Sequence, residues 1–137
     1  MMAEALKSKI MIVDDEDTVC RSIKKALSRE EYDIDVALSG EGALKMEKQK
    51  SYDVIIVDLM MPGINGMELL KSLKSVSPAV QVVMITGYPT MKNTLQAMQI
   101  GAFEFLPKPF LPHDLRNLVV RALEARDKAV AGSGTPG

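Results

Sequence analysis

Three short, almost unbroken apolar runs, each followed at once by a polar residue and then by a stretch of helical spacing, confine this chain to a small set of folds. The runs are Ile10-Met11-Ile12-Val13, Val54-Ile55-Ile56-Val57 and Val80-Gln81-Val82-Val83-Met84-Ile85. They are too short for buried helices and apolar at consecutive positions, which is how strands covered on both faces of a parallel sheet read. Residues 33–38 and 103–106 are shorter or more polar and read as edge strands. Between the runs, apolar residues recur at spacings of three and four. Val19, Ile23, Ala26 and Leu27 do so in the first helix, and Leu115, Leu118, Val119, Ala122 and Leu123 in the last. Asn65 with Glu68 fits a capping box, Gly101 a helix stop and Pro112 a first helical turn. Five strand–helix repeats with right-handed crossovers predict an α/β fold: a doubly wound, five-stranded parallel sheet with five helices.

At 137 residues the chain has the size of one domain, and such a globule buries roughly two-thirds of its unfolded surface. Hydrophobic residues at 47% and charged residues at 26% exclude a disordered or membrane chain. The core is assigned to residues 1–128. Residues 129–137, rich in Gly, Ser and Pro toward their end, read as a flexible tail or the start of a linker. Seventeen Lys plus Arg against 18 Asp plus Glu, with no dense basic run, predict no direct nucleic-acid contact. The single Cys20 cannot form an internal disulfide, and no apolar run reaches the length of a membrane span. A cytoplasmic setting is therefore expected. Ten Met and no Trp describe a core that uses flexible gap-fillers.

The chemistry sits at the carboxyl ends of the strands. Asp14 and Asp15 follow the first, Asp58 the third, Thr86 the fourth and Lys108 the fifth. Ligands of open α/β sheets bind at that edge, beside the point where strand order reverses. With the order 2-1-3-4-5, the first and third strands are neighbours there and the three aspartates converge. Carboxylates within about 5 Å repel by roughly 3 kcal/mol per pair at an effective dielectric of 20, so the cluster calls for a cation. All-oxygen ligands favour a hard ion, and a few carboxylates with waters and a phosphate oxygen is the usual way of holding Mg²⁺. Thr86 can donate a hydroxyl hydrogen bond to a phosphoryl group, and Lys108 can set an ammonium against it. Singly, each of these is more often a helix cap, a solvated hydroxyl or a surface charge. Complementary types on four strand ends at once are not explained that way.

The chain resembles the receiver domains of two-component response regulators over residues 9–128. The resemblance is carried by Ile12-Val13-Asp14-Asp15-Glu16, by Asp58-Leu59-Met60-Met61-Pro62-Gly63-Ile64-Asn65-Gly66, by Ile85-Thr86-Gly87, and by the run from Gly101 through Lys108-Pro109-Phe110. It implies a flavodoxin-like fold and a phosphorylation-activated switch, not an enzyme turning over an independent substrate. By resemblance, Asp58 accepts a phosphoryl group from a sensor histidine kinase or phosphotransfer protein. Asp15, Asp58 and the backbone carbonyl of Met60 would hold Mg²⁺, with Asp14 acting largely through water, while Thr86 and Lys108 bind the phosphoryl oxygens. Thr86 and Phe105 would form the switch, remodelling the face of the fourth helix, fifth strand and fifth helix to control an output partner or a phosphorylation-dependent homodimer. Met60 and Tyr88 occupy the positions that would tune phosphoryl lifetime. Lys108-Pro109 is expected to be cis, turning Lys108 back into the crevice.

Rival readings are weaker. Asp15-Glu16-Asp17-Thr18-Val19 after a strand also looks like the nucleophile motif of haloacid-dehalogenase-type phosphatases, but that reading leaves Asp58 and its context unexplained and provides no acidic pair after Lys108. Gly40-Glu41-Gly42 begins like a dinucleotide fingerprint, yet Lys45 stands where the third glycine belongs. His113 has no metal partner in the sequence and is expected in solvent, and Cys20 is expected to serve packing.

Overall fold

A computed structural model describes residues 7–28, 32–61 and 63–133. Pro62 of the acceptor segment, residues 1–6 of the expected core and residues 134–137 of the expected tail lie outside the described residues. In chain order the elements are β1 (Ser8–Val13), α1 (Asp17–Leu27), β2 (Tyr32–Ala37), α2 (Gly40–Gln49), β3 (Val54–Asp58), α3 (Gly66–Val76), β4 (Gln81–Thr86), α4 (Met91–Ile100), β5 (Glu104–Pro107) and α5 (Pro112–Ser133). The strands form one parallel sheet in the order β2-β1-β3-β4-β5, as expected.

Each central strand is apolar on both faces because the sheet is covered on both. Met11, Val13, Ile55, Val57, Val82 and Met84 point into a core shared with Ala43 of α2, Leu69, Leu70 and Leu73 of α3, and Ala97 of α4. Their neighbours Ile10, Ile12, Val54, Ile56, Val83 and Ile85 point the other way, to Cys20, Ile23 and Leu27 of α1 and Leu115, Leu118, Val119 and Ala122 of α5. Alternation along a strand thus feeds two separate cores.

The helix starts use short polar caps. Ser39 accepts from the Gly42 N–H, Asn65 from the Glu68 N–H at 2.9 Å, and Thr90 from the Asn93 N–H. Gly101 ends α4 at φ +125°, a conformation other residues rarely adopt. Boundaries moved slightly: Val80 precedes β4, and β5 begins at Glu104 rather than at residue 103. One boundary moved far. Helix α5 runs on to Ser133, five residues into the stretch expected to be a tail, because Ala129 and Ala131 favour helix while the Gly/Ser/Pro signal gathers only beyond them.

Candidate functional site

The strand order places the chemistry. Because β1 lies against β3, Asp14, one residue beyond β1, and Asp58, the last residue of β3, stand side by side at the carboxyl edge. Both are buried, at 2% and 7% exposure. Each is fixed by a bond to the chain just ahead: Asp14 Oδ1 accepts the Glu16 N–H at 2.9 Å, and Asp58 Oδ1 accepts the Met60 N–H at 3.1 Å. That leaves the two Oδ2 atoms for Lys108, whose Nζ lies 3.9 Å from each. Lys108 in turn is set by its N–H, which donates to the Thr86 carbonyl at 2.7 Å, and the bond to Pro109 is cis as expected.

Thr86 ends β4, fully buried, and its Oγ1 accepts the Tyr88 N–H at 3.0 Å. Phe105 lies half-buried on β5, paired in register with Met84 and packed against the α2–α4 core. The two positions expected to tune lifetime are open to solvent, Met60 at 60% and Tyr88 at 76%.

Close approach in the acceptor loop depends on Gly66. A Cβ there would fall 2.6 Å from the Leu59 Cα and 2.7 Å from the Asp58 carbonyl oxygen, so α3 can abut β3 only without a side chain. The Gly66 N–H also donates to the Leu59 carbonyl.

Carboxylate oxygens of Asp14, Asp15 and Glu16 gather within 4.8 Å of one another, with Asp15 and Glu16 exposed. Glu16 had no role in the expected site, although the unbroken acidic run was its signal. Burial pushes Asp14 up to about 6; the Glu16 N–H bond and Lys108 oppose this, while the Asp58 and Asp15 charges add to it. A hard divalent cation would relieve that cost, and an all-carboxylate donor set suits Mg²⁺. Among the described residues, neither the cysteine nor the histidine joins this cluster. The Cys20 thiol, directed at the Asp14 carbonyl, is buried and pushed up to about 11 by that burial first. His113 is exposed, as expected, with its Nε2 3.3 Å from the Asp114 carboxylate.

The profile of the response regulator receiver domain matches residues 10–120. Over 125 residues the chain is 34% identical to the transcriptional regulatory protein ResD of Bacillus subtilis, covering 91% of this chain and 51% of that one. It is 30% identical over 128 residues to the alkaline phosphatase synthesis transcriptional regulatory protein PhoP of the same organism, covering 93% and 53%. The chain therefore spans about half the length of these curated relatives. A solved receiver domain from Clostridium thermocellum superposes with a TM-score of 0.83 at 34% identity, covering 90% of this chain and 98% of that one.

Proposed function

From the premise that this chain belongs to the response regulator receiver family, and so to phosphorylation-dependent signalling, we propose that Asp58 is its phosphoryl acceptor. The observation that carries the reading is Lys108, whose ammonium lies 3.9 Å from both the Asp14 and Asp58 carboxylates at a buried strand edge. An Asp58 carboxylate oxygen attacks the phosphorus of a phosphohistidine on a histidine kinase or phosphotransfer protein. The P–N bond breaks and its electron pair leaves with the imidazole. Lys108 and the Thr86 hydroxyl neutralise charge on the phosphoryl oxygens, groups already fixed before reaction.

Asp14, Asp15, Asp58 and the Met60 backbone carbonyl would hold Mg²⁺, which supplies charge neutralisation at the phosphoryl oxygens. Glu16 joins the same acidic rim. The Tyr88 N–H donates to the Thr86 hydroxyl oxygen at 3.0 Å, so a shift of Thr86 toward a phosphoryl group pulls on the β4–α4 loop, and Phe105 on the neighbouring strand is the side chain that would follow it. Helix α4 is suited to respond, since Ala97 alone of its residues is buried. The output is a changed α4–β5–α5 face, read by a partner, a second copy or a following domain reached through residues 129–137. The protein works in the cytoplasm, and among the described residues no helix is long and apolar enough to cross a membrane.

The test is direct. With Mg²⁺ and a phosphoryl donor, intact-mass analysis is expected to show one added phosphoryl group, lost in Asp58→Asn. Labelling of Asp15 with Asp58 untouched would instead favour the phosphatase-like reading.

A further inference from the structure

We propose that Met60 is a site of reversible oxidation by peroxide, and that its sulfoxide shortens the life of the aspartyl phosphate on Asp58. This rests on the reading of Asp58 as the acceptor. Sulfur in the described residues divides by access. The Cys20 thiol is buried, at 1% exposure, so it does not compete for oxidant. Met11 and Met84 have no exposed surface, Met61 is 8% exposed, and Met46 and Met67 are partly buried against the core. Met60, Met91 and Met98 stand open, at 60%, 81% and 42%.

Of those three, Met60 is the one tied to the acceptor. Its N–H donates to Asp58 Oδ1 at 3.1 Å, which fixes its Cα beside the carboxylate while the side chain stays free. The side chain borders an open groove of about 530 Å³ whose other walls include Met61, Met67, Asn93 and Gln96. The groove is open and Met60 is 60% exposed, so a small oxidant reaches the sulfur directly.

The step balances with hydrogen peroxide as oxidant. A sulfur lone pair attacks one peroxide oxygen, the O–O bond breaks, the thioether becomes a sulfoxide by a two-electron oxidation, and the remaining oxygen leaves as water. A methionine sulfoxide reductase reverses it. The change in chemistry is from a poor hydrogen-bond acceptor to a strong one on the same flexible stem. Beside Asp58, the new oxygen can accept a hydrogen bond from the water attacking the phosphorus and hold that water in line, which the thioether does poorly.

The experiment uses the full chain carrying Met91→Leu and Met98→Leu. Protein is treated with hydrogen peroxide, then with catalase, and the sulfoxide is located by peptide mapping. Both forms are then phosphorylated with Mg²⁺ and a small acyl phosphate, and loss of the phosphoryl mass is timed. Oxidation is expected to speed decay roughly tenfold. Met60→Leu should show no response to peroxide, Met60→Gln should decay fast without it, and the reductase should restore the slow rate. Unchanged or slower decay with Met60 fully oxidised overturns the proposal, as does a Met60 that stays reduced while Met91 of the parent oxidises. An unlabelled Asp58 before oxidation overturns the acceptor reading as well; a labelled Asp58 with an unaltered lifetime overturns this inference alone.

Discussion

Met60 and Tyr88 lie two residues beyond Asp58 and Thr86 with side chains exposed, and on the proposed reading neither suits the hydrolytic water. A thioether orients water poorly, and the Tyr88 ring is large enough to cover the line of attack. The unoxidised phosphorylated form is therefore expected to decay slowly, and Met60→Asn to decay clearly faster at saturating Mg²⁺; an unchanged rate, or a parent that decays within seconds, would refute this. Gly66 carries a second expectation at this scale. Adding one methyl group in Gly66→Ala forces apart α3 and the end of β3, at a cost of about 1–3 kcal/mol, read as a lower urea midpoint with unchanged slope. A midpoint equal to the parent's would mean the loop yields freely. The acids and Thr86 were legible in the sequence because each follows or ends a strand whose apolar run is unmistakable, and Lys108 because it follows the shorter edge strand at the same end of the sheet. Glu16 and the tight seat of Gly66 were not, since spacing along a chain reports no distances across it.

Among the elements, α2 and α3 are joined beneath the sheet by a buried carboxylate. Glu47, 2% exposed, accepts the Tyr52 N–H at 3.1 Å and the Ser77 hydroxyl at 2.6 Å. Burial nevertheless raises its pKa above the ordinary 4.5. The folded protein then holds this proton more tightly than the unfolded chain, so the contribution to stability is fullest below pH 4.5 and is lost as pH rises through the folded value. Glu47→Gln keeps an acceptor for the Tyr52 N–H and removes that dependence. Its melting temperature at pH 7 is expected to match or exceed the parent's by about 2–4 °C, with a flatter profile as pH rises above the ordinary carboxylate value of 4.5. A large fall at pH 7 would show that Arg126, whose charge favours the ionised form, outweighs the burial cost. Nothing in the sequence pointed to this contact, because Glu47 and Ser77 lie 30 positions apart and each looks like an ordinary helix-surface residue. The division into interior and edge strands, by contrast, was legible, since continuous apolar runs demand the interior of the sheet and broken ones accept its edges; the order itself was what the receiver resemblance implied.

For the molecule as a whole, phosphorylation is expected to change self-association or partner affinity through the α4–β5–α5 face. Its size is set by the difference in affinity for the two forms, and identical sedimentation and identical partner binding before and after full labelling would refute it. The other end of the molecule offers a mechanical consequence. Because α5 continues unbroken to Ser133, whatever is fused there rides on a shaft and not on a tether. Each residue inserted before that junction advances the cargo by about 1.5 Å and turns it by about 100°, so its angular phase repeats every 3.6 insertions. A reporter joined through a ladder of added alanines would thus sweep around the domain like the hand of a dial, and its orientation relative to the phosphoryl edge could be dialled residue by residue.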